Sequence, residues 1–201
     1  MVFLLDSSSS ITLDDHAIML NFTSELVSRF KVGQDFVRVG AAQFSDLQYH
    51  EFYLKDYYNK EDVIAHIHKM VYHGRNTYIG RALKYIKDYF TVAQGSRKSG
   101  VPKSLVLISD GDDNDNEFDI LEDEANDLRA MGVRIFAIGV GDVHLLQLLQ
   151  IAGKPSRVFN VRTFKGLAEI KNEVLDRVCE RDLIQSTPGE LISAILSYFC
   201  T

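Results

Sequence analysis

Cysteine is nearly absent from the chain: two residues in 201, Cys179 and Cys200. Two thiols cannot build the disulfide framework of a small secreted scaffold or a four-ligand zinc site. They pair with each other, or one has its partner outside the chain. Long apolar runs are missing too. None approaches the roughly 18 residues that span a bilayer, so membrane insertion is not expected. There is no basic surplus: 22 Lys and Arg against 28 Asp and Glu leave a net charge of −6. That balance argues against a nucleic-acid backbone as the main partner. Residues 1–5 are too short for the apolar core of a leader peptide, and no basic segment precedes them. The chain is expected to begin inside its first strand, as a domain excised from a longer protein would, so the missing leader says nothing about compartment. Internal repeats and low-complexity tracts are absent.

What remains is the composition of one globular α/β domain, 46% hydrophobic and 25% charged, long enough to bury a sizeable core. Residues 1–5 read as a strand buried on both faces, because they are continuously apolar. Ile18, Phe22, Leu26 and Phe30, spaced by four, predict an amphipathic helix over 13–30, capped by Thr12 or Asp14. Strands are predicted at 36–44 and 49–54. The turn between them is short enough to force antiparallel pairing. Helices follow at 60–70 and 78–90, a surface loop at 94–103, a buried strand at 105–108 and a helix at 120–131 stopped by Gly132. Then come a strand at 134–138, a short helix at 143–151, an edge strand at 157–161 and a helix at 165–181. Residues 182–201 read as a linker or extension with a short helix at 191–199. This alternation predicts a doubly wound, mostly parallel six-stranded sheet with one antiparallel edge strand and helices on both faces. The domain should run over 1–181.

Two strands end abruptly in polar loops. Residues 1–5 lead into Asp6-Ser7-Ser8-Ser9-Ser10, and 105–108 lead into Ser109-Asp110-Gly111. As central neighbours in such a sheet, these strands would open both loops on the crevice at their carboxyl ends. Thr77, just before a helix, can reach the same edge. Asp6, Ser8, Ser10, Thr77 and Asp110 offer oxygen donors only, with no cysteine or histidine among them. That chemistry suits Mg²⁺, Mn²⁺ or Ca²⁺ rather than zinc or copper. Two carboxylates roughly balance a divalent ion, and Mg²⁺ keeps room for waters or for an acidic side chain of another protein. The competing reading of the first loop is that Asp6 and the serines cap the following helix.

Asp6-x-Ser8-x-Ser10, a threonine before a helix, and Asp110-Gly111 after an apolar strand resemble the metal-ion-dependent adhesion site of von Willebrand factor type A domains. Gly40-Ala-Ala-Gln-Phe-Ser45, Gly80-Arg-Ala-Leu83 and Phe136-Ala-Ile-Gly-Val-Gly141 also match, so the resemblance covers about 1–181. Tyr72-His-Gly-Arg-Asn-Thr-Tyr-Ile-Gly80 is most similar to the N-terminal A domains of collagen VI alpha chains, alpha 3-like. The resemblance implies a secreted, non-enzymatic module of the extracellular matrix. Its partners would be matrix proteins, collagens among them, or neighbouring A domains. Ser8, Ser10 and Thr77 would contact the cation through hydroxyls, and Asp6 and Asp110 directly or through water. Ser7 stands where many relatives have glycine, and some relatives carry a cysteine before the first strand that pairs near the last helix.

Other features invite weaker readings. The run 110–116 lacks the glycine and glutamate of a calcium loop and reads as a solvated acidic rim. Gly139-Val-Gly141 reads as a tight turn, because His144 replaces the third glycine of a dinucleotide fingerprint. His66, His68 and His73 read as exposed histidines. Asn21-Phe22-Thr23 is a glycosylation sequon, which matters only in a secreted protein. The alternatives to a cation-using adhesion module are a structural spacer with a vestigial site and a metal-assisted phosphohydrolase. The latter lacks an evident nucleophile, general base or phosphate loop.

Overall fold

The computed structural model describes residues 1–98, 100–114 and 118–180, without the side chains of 118 and 119. The predicted extension 182–201, its helix at 191–199, Cys200 and the acidic positions 115–117 lie outside the described residues. Cys179 is disulfide-bonded.

Six strands form one sheet: β1 (Val2–Asp6), β2 (Gly40–Phe44), β3 (Gln48–Phe52), β4 (Lys103–Ser109), β5 (Val133–Val140) and β6 (Val158–Val161). Their order is β3-β2-β1-β4-β5-β6. Every pairing is parallel except β2 with β3. This is the architecture expected of the sequence. The β1–β4 neighbours put the ends of both apolar runs side by side, with Leu5 opposite Ile108.

Alternate strand residues face opposite sides, and each side has its own apolar core. Phe3, Leu5, Val106 and Ile108 pack with Met19, Phe22 and Leu26 of α1 (Leu13–Ser28), Val63 and Ile67 of α2 (Lys60–Ile67). Val2, Leu4, Leu105 and Leu107 pack on the other side with Ile79 and Leu83 of α3 (Ile79–Ile86), Leu121 and Leu128 of α4 (Phe118–Ala130), and Leu148 of α5 (Leu145–Ala152). Helix α6 (Leu167–Cys179) returns to the first side through Val174 and Val178.

Three local expectations change. The strand predicted from residue 36 starts at Gly40, because residues 31–37 bond among themselves: Val37 N donates to Lys31 O at 3.0 Å and Gly33 N to Val37 O at 3.0 Å. The helix predicted over 78–90 ends at Ile86 and tightens into a 3₁₀ turn, Lys87–Phe90. The β5 strand extends beyond residue 138 through Gly139, where a Cβ would stand 2.5 Å from Val143 Cγ2 and 2.6 Å from Leu148 Cδ1. Only glycine lets α5 approach the strand that closely.

Candidate functional site

Helix α1 begins after Thr12, whose Oγ1 accepts from Asp15 N at 3.1 Å and donates to the Asp15 carboxylate at 2.7 Å. With the cap supplied there, the hydroxyls of Ser8 and Ser10 are not needed by the helix. They turn toward the carboxyl edge of the sheet. Ser8 and Ser10 stand with their Oγ atoms 3.0 Å apart, and Ser10 Oγ donates to Asp110 Oδ1 at 2.8 Å, across 100 residues of sequence. Asp6, at the end of β1, is fully buried. Its Oδ1 accepts from Ser8 N at 2.8 Å and its Oδ2 from Ser109 Oγ at 2.5 Å. Asp6, Ser8, Ser10 and Asp110 therefore form one connected group.

Thr77 is buried and lies against the Asp110 loop, its Oγ1 3.6 Å from the place a Cβ on Gly111 would occupy. No hydrogen bond joins its hydroxyl to the other four. Its backbone is fixed from both sides by Asn114: Thr77 N donates to Asn114 Oδ1 at 3.2 Å, and Asn114 N to Thr77 O at 2.8 Å.

The electrostatics of this group are one-sided. Burial pushes the Asp6 carboxyl up to about 6, although bonds from Ser109 and Ser8 pull the other way, and the charge of Asp110 adds to the rise. Burial also raises Asp110, opposed by the Ser10 bond and reinforced by Asp15. No cationic side chain bonds either carboxylate among the described residues. The two acids, one fully buried and one half-buried, thus share an oxygen-only corner that opens to solvent at Ser10 and has no positive partner, which is the demand a divalent cation meets. The 3.0 and 2.8 Å oxygen separations equal the edge of an octahedron of oxygens around Mg²⁺, about 2.9 Å for ligands at roughly 2.0–2.1 Å. Clusters of three or more His, Cys, Asp or Glu that could hold a metal are absent among the described residues. Two carboxylates with hydroxyls make a different kind of donor set.

Several supporting residues escaped the sequence reading. Ser109 ends its strand beside Asp6. The adjacency needed the β1–β4 register. Ser7 is fully buried. Its Oγ accepts from His73 N at 2.8 Å and its carbonyl from Gly74 N at 2.8 Å, while Tyr72 Oη donates to Ser8 O at 3.1 Å and Ser9 N to Arg75 O at 2.8 Å. The side chain that departs from glycine thus adds one bond, from His73 N, to three that tie the backbone of the first loop to residues 72–75.

The acidic run is not simply a solvated rim. Asp113 is buried and accepts from Ile79 N at 3.0 Å and Gly80 N at 3.1 Å. It supplies the cap that Tyr78 does not give α3. Asp112 accepts from His144 N at 2.9 Å. The histidines differ from expectation as well. His66 is half-buried between Glu51, 3.0 Å from its Nε2, and Tyr57 Oη, 3.1 Å from its Nδ1. His73 is half-buried, stacked on Tyr49 at 3.4 Å. Only His68 of the three is exposed. Gly141 adopts φ +87°, as the tight turn after β5 requires. Asn21 is exposed on α1, whereas Thr23 of the same sequon is buried and donates to Met19 O at 2.9 Å. No described helix is long and apolar enough to cross a membrane.

The chain is 35% identical over 179 residues to the collagen alpha-6(VI) chain of Homo sapiens, covering 89% of this chain and 8% of that one. It is 32% identical over 198 residues to matrilin-1 of Gallus gallus, covering 97% of this chain and 38% of that one. The chain therefore spans only a small part of these relatives, which are extracellular matrix proteins and not enzymes. Among solved structures, proximal thread matrix protein 1 of the mussel byssus, with a zinc-occupied MIDAS motif, superposes with a TM-score of 0.82. It shares 31% identity, over 89% of this chain and 47% of that one. The family pattern of the von Willebrand factor type A domain matches residues 1–173, and the chain belongs to that family.

Proposed function

We propose that this chain is a secreted protein-binding and assembly module of the extracellular matrix, with residues 1–181 as its A-type domain and 182–201 as a linker or extension. Asp6, Ser8, Ser10, Thr77 and Asp110 would hold a divalent cation, Mg²⁺ by preference, with Mn²⁺ or Ca²⁺ as substitutes. The observation that carries this reading is the pair of acids, Asp6 fully buried and Asp110 half-buried, joined through Ser8 and Ser10 with no cationic partner among the described residues. The zinc-occupied site of the mussel relative supports it. Zinc competes at such sites because its intrinsic affinity for most donor sets exceeds that of Mg²⁺.

The ion supplies an electrophilic position that an acidic side chain of a partner can complete. The chain's own residues do the rest. Ser8 and Ser10 present neutral hydroxyls, which leave the site electrophilic. Asp110 brings charge from the neighbouring strand. Asp6, with both oxygens engaged by Ser8 and Ser109, holds the loop and places a second charge behind it. The partners are matrix proteins, collagens among them, or neighbouring A domains of the same assembly.

The test compares wild type with Asp110→Ala in thermal melts at millimolar Mg²⁺ and in EDTA, followed by pull-down from matrix extract under both conditions. Wild type should melt higher in Mg²⁺ and capture a partner that EDTA releases, and the variant should do neither. Equal melting shifts in the two proteins would refute the site. A folded wild type with no response to Mg²⁺ or Mn²⁺ would make the domain a spacer.

A further inference from the structure

Among the described residues, Arg75 is the one non-glycine with a positive φ, +79°. It follows Gly74, itself left-handed at φ +75°. Two left-handed residues in succession turn the backbone so that it serves the first loop. Gly74 N donates to Ser7 O at 2.8 Å, and Arg75 O accepts from Ser9 N at 2.8 Å. Glycine meets that backbone demand without strain and asparagine with little, whereas the Cβ of an arginine crowds the following carbonyl. The fold asks for glycine at position 75, and the sequence supplies arginine.

Packing does not account for the side chain, which is 68% exposed. Its ion pair is with Asp46, Nη1 to Oδ2 at 3.4 Å. A well-formed charged pair stands at about 2.7–2.9 Å, and exposed pairs contribute little to stability. One of the five guanidinium N–H donors is engaged and four remain. Strain that stability does not repay is characteristic of residues kept for binding.

The position of Arg75 suggests what it binds. It lies two residues before Thr77, and its carbonyl holds Ser9 between Ser8 and Ser10. It therefore adjoins three of the candidate cation donors. The loops of the same edge carry Asp14 and Asp142, both exposed, and Asp46 and Asp112, both half-buried. An edge so supplied with carboxylates repels a polyanion. A protein segment that brings one carboxylate to a cation can still bring a second to Arg75. Leu47, next to Asp46, and Val71, four residues before Arg75, are exposed apolar side chains that such a segment would cover.

We propose that Arg75 is a specificity-determining residue of this face, receiving a second carboxylate from a protein partner whose first carboxylate completes the cation shell. The proposal rests on the cation reading above. The planar fork of arginine suits two-point contact with a carboxylate. Asp46 steadies the guanidinium from one side, and the fixed backbone sets where the side chain starts, which lowers the ordering cost of binding. The partner is thus a segment with two acidic side chains.

The experiment uses the full chain as wild type, Arg75→Asn and Arg75→Lys. Thermal melts in Mg²⁺ and in EDTA come first. Arg75→Asn should melt no lower than wild type, because asparagine tolerates the left-handed region, and should keep the whole Mg²⁺ shift. Synthetic peptides with two glutamates at increasing separation are then displayed on a sensor surface, each beside a version with one glutamate changed to glutamine. In Mg²⁺ the best two-glutamate peptide should bind wild type about tenfold tighter than its one-glutamate version, the scale of one charged hydrogen-bonded contact. On Arg75→Asn that ratio should fall to about one, a coupling that a merely structural arginine would not show. Arg75→Lys, which keeps the charge without the fork, should fall between, and EDTA should release every peptide. A ratio near one on wild type at every separation overturns the proposal, as does an unchanged ratio on Arg75→Asn. Melting of Arg75→Asn more than about 2 °C below wild type gives the side chain a structural role and overturns it as well. A wild type whose melting ignores Mg²⁺ removes the cation reading, and this proposal with it, before any peptide is added.

Discussion

Asp113→Ala puts the reassigned acidic run to the test. The wild-type carboxylate is buried and accepts from Ile79 N at 3.0 Å and Gly80 N at 3.1 Å. These are first-turn N–H groups of α3, which has no side-chain cap from Tyr78. Truncation leaves both donors without their acceptor. A buried unsatisfied donor costs about 1–3 kcal/mol, and loss of an anion from a helix amino terminus adds about 0.5–1 kcal/mol. Water entering the vacated space recovers part of this. The net expectation is about 3 kcal/mol, or roughly 6–12 °C in Tm for a domain of this size. Asp113→Asn keeps one acceptor but no charge and should lose about half as much. Urea denaturation in EDTA measures the loss without interference from cation binding. A destabilisation of Asp113→Ala below about 1 kcal/mol would show that the carboxylate is solvated, as the sequence first suggested.

Asp6 makes a pH-dependent prediction. Its folded carboxyl is raised to about 6 from 3.8, so the folded state holds this proton more tightly than the unfolded chain does. In EDTA the resulting stability is fully present below about pH 4 and is lost as pH rises through 6. A shift of this size corresponds to about 3 kcal/mol at one buried group. Asp6→Asn should remove that dependence. Urea midpoints in EDTA that do not fall between pH 5 and 7, after subtraction of the Asp6→Asn profile, would contradict it. Asn21 should carry glycan when the chain is secreted from animal cells, because its side chain is exposed on α1. Glycosidase treatment should sharpen and lower the band of wild type and leave Asn21→Gln unchanged. Identical migration of treated and untreated wild type would rule it out.

The sheet was legible because its signals are local. Strands buried on both faces must be continuously apolar, and residues 1–5 and 105–108 are. The turn at Ser45-Asp46 permits only an antiparallel return, and β3 takes it. Four candidate site residues were legible for a related reason: in a doubly wound sheet, loops after central strands converge at one edge. Ser109 and Asp113 were not, since their roles depend on contacts 103 and 33–34 residues away. A run of acids looks solvated in sequence unless the position of the helix it caps is known. The histidines misled similarly. His66 faces Glu51 of β3, and only the placement of α2 over that strand supplies the partner.

The first loop also bears on the choice between a cation-using module and an inert spacer. Helix capping does not account for it, because Thr12 caps α1 alone. Packing does not require a carboxylate at position 6 either. An asparagine there could still accept from Ser8 N and donate from its amide to the Ser109 hydroxyl, without burying a charge. The carboxylate at full burial is instead a standing cost in the metal-free domain, raised further by Asp110 across the same corner. A divalent cation reverses that sign, turning two mutually repelling acids into attractive partners. In the proposed cation site the same residues would give the ion its affinity, and residues 72–75 hold the loop in place through four hydrogen bonds. A spacer gains nothing from such an arrangement, whereas the proposed module, in which a bound ion would trade a water ligand for a partner's carboxylate, would depend on it.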